Sequence, residues 1–190
     1  MAGEYRNPRV HVCILERPEG EENNSSPEHV YQQLNGHKKH FSLEEDDELW
    51  LVIDKDCWTE SMLSEVSAKC VQDGMLHMAL SNPCFELWLL LHLVDIHSLS
   101  NKEKEEWAAN RKTSKRTDPL LKKRLRKELG SYSESKYDTS LFLANVTKAI
   151  EQAKSLDTNP SDRWPQTLGT RVYLLAESIM NLNGNKSTEG

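Results

Sequence analysis

Two aspartates separated by one residue are the feature of this sequence with the clearest chemistry. Asp54 and Asp56 directly follow the apolar run at 49–53. Two carboxylates that leave a strand together can point the same way. Oxygen ligands of this kind suit Mg²⁺ or Mn²⁺, which keep several waters and bind substrate phosphate. An ordinary strand-to-helix loop, where aspartates form turns and caps, explains the same pair. Both interpretations stay open for this pair alone.

Glu86 is the candidate for a third carboxylate in the same site. The spacing predicts that Asn82 caps a helix and that Pro83 takes its first position, which puts Glu86 at the opening turn. Ligands of open α/β sheets bind at the carboxyl ends of the strands. If the strand before Glu86 neighbours the strand that ends at Asp54, the three carboxylates converge. The alternative is that Glu86 only complements the helix dipole.

His92 lies in the same helical pattern as Glu86. It shares one stripe with Phe85, Trp88 and Leu89 at helical spacing. A histidine in such a stripe is more often a hydrogen-bonded core residue than a catalytic base. We therefore expect His92 in the core.

Alternating strand and helix patterns in the first half predict how these residues are positioned. Strand patterns occupy residues 10–15, 49–53 and 75–80, and the second of these reads as buried on both faces. Between them, Ser26-Pro27 opens one helix that runs through about Leu34, and Thr59 caps another that ends at Gly74. The apolar stripe of that second helix comprises Met62, Leu63, Val66, Cys70 and Val71. This order predicts an α/β layer with a parallel sheet.

The second half of the chain contains no convincing strand pattern. Helices are predicted near residues 102–110, 120–129, 140–155 and 171–181. The expected organisation is an α/β core over residues 1–98, a helical C-terminal region over 99–182 and a disordered tail over 183–190.

Charge is unevenly distributed along the chain. Residues 1–100 carry 7 Lys and Arg against 18 Asp and Glu, whereas residues 101–190 carry 17 against 12. Most of the basic excess falls between residues 111 and 127, which suggests contact with a nucleic-acid backbone. Docking on an acidic face of a partner protein is the alternative. The candidate cations within this stretch are Lys122, Lys123, Arg124 and Arg126.

The composition excludes several classes of protein. The longest apolar run, at 87–94, is far shorter than the roughly 20 residues of a membrane span, and no signal peptide is visible. The 4 cysteines form no C-x-x-C pair, a pattern typical of reduced thiols rather than of disulfides or zinc. We therefore expect a soluble protein of the cytoplasm with no membrane contact.

The combination of motifs resembles the RloB family of prokaryotic defence-associated proteins. The resemblance rests on LWLVIDKD at 49–56 and SNPCFELWLLLH at 81–92, with weaker matches in YSESKYD at 132–138 and GTRVY at 169–173. It spans roughly residues 10–179. It implies a Toprim-like α/β core that uses Mg²⁺ to cleave RNA or DNA, with Asp54, Asp56 and Glu86 at the metal and Lys136 near phosphate. It also implies an ATPase partner of the abortive-infection type.

One part of the family pattern is missing. Toprim proteins carry a catalytic glutamate after the first core strand, in this family within a stretch like E-G-x-x-T-E-P-x-Y, and that string is absent. Glu16, which follows the strand pattern at 10–15, is the candidate replacement. The alternative is that the strand bearing the glutamate is missing, which leaves a catalytically inactive or truncated protein that acts as a binding or regulatory subunit.

Overall fold

The computed structural model describes residues 25–40, 42–44, 47–56, 58–130, 132 and 138–184. These residues form an α/β arrangement with a small mixed sheet of three strands in the order β1-β2-β3. The strands are β1 (Leu49–Asp54), β2 (Leu76–Asn82) and β3 (Gly169–Thr170). The described helices are α1 (Pro27–His40), α2 (Glu60–Asp73), α3 (Glu86–Leu93), the 3₁₀ helix Ile96–Ser98, α4 (Asn101–Ala109), α5 (Leu120–Leu129), α6 (Ser140–Ala144), α7 (Val146–Leu156) and α8 (Val172–Gly184).

The unit β1-α2-β2 confirms the alternation predicted from the sequence. β1 and β2 are parallel, with Asp54 opposite Ser81 at their carboxyl ends. Thr59 caps α2 by accepting a hydrogen bond from the amide of Met62 (3.3 Å). Gly74 ends the helix with φ of 76°, a conformation that glycine adopts without steric cost. A polar cap at one end and a glycine at the other thus turn the chain from β1 back to β2.

Two details of this unit differ from the prediction. Val71 is 80% exposed, because the buried face of α2 runs through Leu63, Val66 and Cys70, and Val71 lies about 100° further round the helix. β1 is not buried on both faces: Leu51 and Ile53 are buried, whereas Val52 is 41% exposed. Alternate residues of a strand face opposite sides of the sheet, and here only one side is fully covered.

The third strand corrects two sequence expectations. The sheet is not purely parallel, since β3 pairs antiparallel to β2 through Ser81 and Thr170, and a strand does occur in the second half. β3 has only two residues and no apolar alternation, so its sequence gives no strand signal. The Toprim-like parallel sheet implied by the resemblance is therefore not confirmed, since the described strands form one parallel and one antiparallel pair.

The start of α3 also differs from the prediction. Asn82 belongs to β2, and its side-chain Nδ2 donates to the carbonyl of Pro165 (3.0 Å), so it does not cap the helix. The bond between Asn82 and Pro83 is cis, and α3 begins only at Glu86.

Most of the helix α3 is buried. Residues 87–92 are all buried, and α3 packs against α5, α6 and α7 as well as against the sheet. A second apolar cluster lies between α1, α2 and the two parallel strands, and includes Trp164. Because helices after residue 99 cover α3, the two halves of the chain share one core. The domain boundary at residue 98 stays a prediction.

In the first half, α1 runs through His40, past the end near Leu34 that the pattern predicts. The helices of the second half match the predictions with two changes. The helix predicted over 140–155 is broken at Asn145, whose φ is −117° and whose Nδ2 donates to the carbonyl of Leu141 (2.8 Å). α8 extends through Gly184, into the predicted tail. The strand pattern at 10–15 and residues 185–190 lie outside the described residues. No described helix is both long enough and apolar enough to cross a bilayer.

Candidate functional site

The carboxyl end of β1 places Asp54 and Asp56 beside the end of β2. After Asp54 the chain keeps following β2, with the amide of Lys55 donating to the carbonyl of Ser81 (2.8 Å) and the amide of Asp56 to that of Pro83 (3.0 Å). Asp56 has φ of 22°, in a region that residues other than glycine rarely adopt. The backbone thus holds the D-x-D segment in a defined turn.

The carboxylate of Asp54 is anchored at the N-terminus of α3. Its Oδ1 accepts a hydrogen bond from the backbone amide of Phe85 (2.8 Å). Phe85, the residue before α3, has no side-chain cap of its own, so an acceptor from β1 satisfies this helix end. Negative charge is stabilising near the positive end of a helix dipole. Asp54 is therefore held in a fixed position while remaining half-buried.

Asp54 and Asp56 line one cleft of about 410 Å³. The cleft combines these two carboxylates with an apolar wall. The other lining residues are Ser25, Val30, Val52, Ile53, Trp58 and Phe85. Trp58 and Phe85 were not predicted as site residues, although both lie within two residues of a predicted one in the sequence. The exposure of Val52 on β1 is explained by this cleft.

Glu86 is not among the residues that line the cleft. Its carboxylate lies by the thiol of Cys84. Burial first, then the negative charges of Glu86 and Asp54, raise the pKa of that thiol well above its usual range. Among the residues that the structure describes, no three His, Cys, Asp or Glu side chains form a group able to hold a metal ion. The structure therefore brings together Asp54 and Asp56 but not Glu86, and Glu16 lies outside the described residues.

The two aspartates nevertheless fit the requirements of a magnesium ion. Mg²⁺ is usually bound through one or two carboxylates and completes its six ligands with water and substrate phosphate. Asp54 and Asp56 supply two carboxylates to one cleft that is open to solvent. They are the described residues that would hold the ion.

His92 is confirmed as a core residue. It is 2% exposed, its Nδ1 donates to the carbonyl of Trp88 (2.8 Å), and its ring lies edge-on to those of Trp88 and Phe142. Burial lowers its pKa, because charging the ring would require solvation that the core does not provide. His92 is thus neutral and is not among the residues that line the cleft.

The predicted nucleic-acid-binding cations on α5 have partners within the chain. Arg124 pairs with Glu128 (2.6 Å), Arg126 pairs with Asp118, and Lys123 Nζ donates to Thr113 Oγ1 (2.8 Å). Lys122 is half-buried on the same helix. Lys136 lies outside the described residues.

The GTRVY segment at 169–173 has a structural role that the sequence did not reveal. A Cβ on Gly169 would lie 2.8 Å from Cβ of Pro165, and Thr170 Oγ1 shares a buried hydrogen bond with Ser81 Oγ (2.7 Å). Arg171 forms a buried two-point ion pair with Asp157, with N–O distances of 2.9 and 3.1 Å. The segment thus secures β3 and the chain after α7 against the end of β2.

The buried ion pair is completed by a tyrosine. Tyr173 donates its hydroxyl to Oδ2 of Asp157 (3.0 Å). Burial and this carboxylate raise the pKa of Tyr173 to about 12. The hydroxyl therefore stays protonated at neutral pH and keeps donating its hydrogen bond to Asp157.

Comparison with known proteins identifies one match. The family model described as RloB-like protein matches residues 1–179. Searches of curated proteins and of solved structures found no match.

Proposed function

The chain belongs to the RloB-like family, and from this membership and the cleft at the end of β1 we propose that it is a divalent-cation-dependent nuclease. Its reaction is hydrolysis of a phosphodiester bond in RNA or DNA. The observation that carries the proposal is that Asp54 and Asp56 line the same cleft at the carboxyl ends of two parallel strands. Ligands of open α/β sheets bind at this edge.

Asp54 and Asp56 are the residues proposed to hold Mg²⁺ or Mn²⁺. A bound cation polarises a phosphate oxygen and lowers the pKa of the attacking water. The amide of Phe85 keeps the Asp54 carboxylate in place before any ion binds, which reduces the cost of organising the site. Asp56, in its strained turn, contributes the second carboxylate. Glu16 is the proposed general base, on the strength of the family resemblance alone.

The wider biological role is proposed from the same resemblance. We infer an effector of antiphage defence of the abortive-infection type, acting in the cytoplasm and associated with a partner ATPase.

The experiment is a cleavage assay with the purified full chain. Labelled RNA and DNA are incubated with Mg²⁺, with Mn²⁺ or with a chelator. We expect cleavage that needs the cation and that Asp54→Asn and Asp56→Asn each abolish. The matched control is Glu151→Gln, which removes an exposed carboxylate from α7 and should leave cleavage intact. Cleavage that persists unchanged in both aspartate variants would refute the proposal.

A second experiment measures metal binding directly and does not depend on cleavage activity. Bound Mn²⁺ is counted by electron paramagnetic resonance for the same variants. We expect wild-type protein and Glu151→Gln to bind Mn²⁺, and Asp54→Asn and Asp56→Asn to lose it.

One observation favours a different function, that of a non-catalytic binding subunit. Glu86 lies against Cys84 instead of in the cleft, so the described residues supply two carboxylates where the resemblance implies three. In that case the chain binds nucleic acid or an ATPase without cleaving. Nucleic-acid binding in the presence of a chelator, with no cleavage under any cation, would establish this alternative.

A further inference from the structure

A single side chain, that of Asn110, joins three elements next to the cleft. It ends α4 in the left-handed conformation (φ 41°, ψ 41°), with its amide donating to the carbonyls of Glu106 and Trp107. Its Oδ1 accepts from the amide of Leu121 (2.9 Å), in the first turn of α5. Its Nδ2 donates to Sγ of Cys84 (3.3 Å). Asn110 therefore fixes both ends of the α4–α5 loop to the segment that precedes α3.

This junction lies close to the aspartates. Cys84 directly precedes Phe85, whose amide donates to Asp54 (2.8 Å). With standard bond lengths, these links place Nδ2 of Asn110 at most about 12 Å from the Asp54 carboxylate. Arg111 directly follows Asn110, and phosphates lie roughly 3.4 Å apart along one strand of a B-form duplex. A strand that contacts the start of the loop can therefore reach the cleft within several phosphates.

The loop that Asn110 anchors carries a set of exposed cations. Within the described part of the chain none of them forms an ion pair, in contrast to Arg124 and Arg126 on α5. They are Arg111, Lys112, Lys115 and Arg116. The loop also holds its own shape, since Thr117 Oγ1 accepts from the amide of Ser114 (3.0 Å). An ordered loop loses less entropy when it binds than a flexible one does.

The chemistry of the loop favours a phosphate backbone over a protein surface. Residues 111–116 read RKTSKR and include no apolar side chain. Protein interfaces depend on buried aromatic and apolar anchors, whereas nucleic-acid interfaces are polar and strongly positive. Hydroxyl groups between the cations add further donors to phosphate.

We propose that loop 111–116, positioned by Asn110, is a backbone clamp that leads nucleic acid across the Asp54–Asp56 cleft. This inference rests on the proposed function for the identity of its ligand. It narrows the sequence expectation of contact over residues 111–127 to the loop before α5, because Arg124 and Arg126 on that helix are paired within the chain. Asn110 acts here as a positioning residue.

The first test measures binding without catalysis. A fluorescein-labelled single-stranded RNA of about 20 nucleotides is titrated with the full chain in EDTA, with anisotropy as the readout. The test variant converts Arg111, Lys112, Lys115 and Arg116 to glutamine. The matched control removes four exposed cations from other segments, Lys39, Lys102, Lys148 and Arg163. We expect at least about tenfold weaker binding for the loop variant than for the control, and a smaller dependence on salt.

The second test asks whether the bound RNA passes the cleft. Without a cation, the aspartates repel phosphate, so Asp56→Asn should tighten binding about two- to fivefold. The control Glu151→Gln removes an exposed carboxylate from α7 and should leave RNA binding unchanged. The tightening should vanish in the loop variant. It should also vanish in Asn110→Gly, which accepts the left-handed backbone and loses only the side-chain links.

The outcomes separate this inference from the nuclease proposal. Equal binding by the loop variant and its control, or no effect of Asp56→Asn, overturns the inference. Stronger displacement of the RNA by polyglutamate than by unlabelled RNA also overturns it, in favour of an acidic protein partner. Loop-dependent binding with the Asp56 effect but without cleavage supports the inference and rejects the nuclease. Cleavage with an unchanged KM in the loop variant supports the nuclease proposal and rejects the inference.

Discussion

The backbone amide of Phe85 donates its hydrogen bond to Oδ1 of Asp54 over 2.8 Å, and so joins the end of β1 to the beginning of α3. One carboxylate thereby serves two purposes. It completes the hydrogen bonding of a buried helix, and it stands at the wall of the candidate metal cleft. Substitutions at Asp54 can separate these two roles. The stability of the fold requires an oxygen that accepts the hydrogen bond from Phe85, whereas metal binding requires the negative charge of the carboxylate.

Asp54→Ala should destabilise the fold more than Asp54→Asn. Alanine leaves the Phe85 amide without this acceptor, which costs about 1–2 kcal/mol in comparable helix caps, whereas asparagine keeps an acceptor oxygen. We expect the free energy of unfolding in urea to fall by about 1–2 kcal/mol for Asp54→Ala and by less than about 1 kcal/mol for Asp54→Asn. Equal losses in the two variants would mean that the hydrogen bond has no structural role.

Gly169→Ala should weaken the junction between β3 and the chain before it. The added Cβ would lie 2.8 Å from Cβ of Pro165, closer than real side chains approach. Such overpacking typically costs about 1–3 kcal/mol. Gly36→Ala in α1 is the matched control, since its Cβ would meet nothing within 4 Å and alanine is the better helix former by about 1 kcal/mol. Thermal unfolding should therefore show opposite shifts in the two variants.

Arg171→Met should be strongly destabilising. It would leave Asp157, which is 5% exposed, as a buried charge without its partner. Breaking a buried pair in this way costs about 3–5 kcal/mol. Arg124→Gln, at the 2.6 Å pair with Glu128 on α5, should cost only about 0.3–0.5 kcal/mol. If urea unfolding gives similar losses for both variants, the buried pair is not what secures this segment.

His92 should make the fold less stable as the pH falls. Burial lowers its pKa in the folded state, so below the usual value near 6.5 the unfolded chain binds the proton more readily. The free energy of unfolding contributed by His92 is complete above about pH 6.5 and declines below it. The stability difference between wild type and His92→Gln should therefore shrink from pH 8 to about pH 5. At pH 8 the difference in unfolding free energy between the two proteins reports only the packing cost of the substitution. A difference that stays constant from pH 8 to about pH 5 would contradict the prediction.

Local patterns predicted the parts of this fold that depend on neighbouring residues. The cap at Thr59, the glycine at Gly74 and the apolar run of β1 each carry their information within a few residues, and all three are confirmed. The helices α4 and α5 were placed to within one residue for the same reason.

Long-range contacts decided the features that the patterns missed. Asn82 looked like a helix cap, but it bonds instead to Pro165, 83 positions along the chain. β3 becomes a strand only because Thr170 meets Ser81 across the sheet. Glu86 lies beside Cys84, whose thiol accepts a hydrogen bond from Asn110, 26 positions along the chain. No periodicity within a single segment encodes these contacts.

The burial of α3 on all sides has a practical consequence for dissecting the molecule. Residues 87–92 include five large apolar side chains, and one side of this helix is covered by α5, α6 and α7 from the second half of the chain. A fragment that stops near residue 98 would present them to water, and exposed surfaces of this kind promote self-association. Attempts to express the strand-bearing half alone should therefore give insoluble material, whereas co-expression with the remainder should restore recovery.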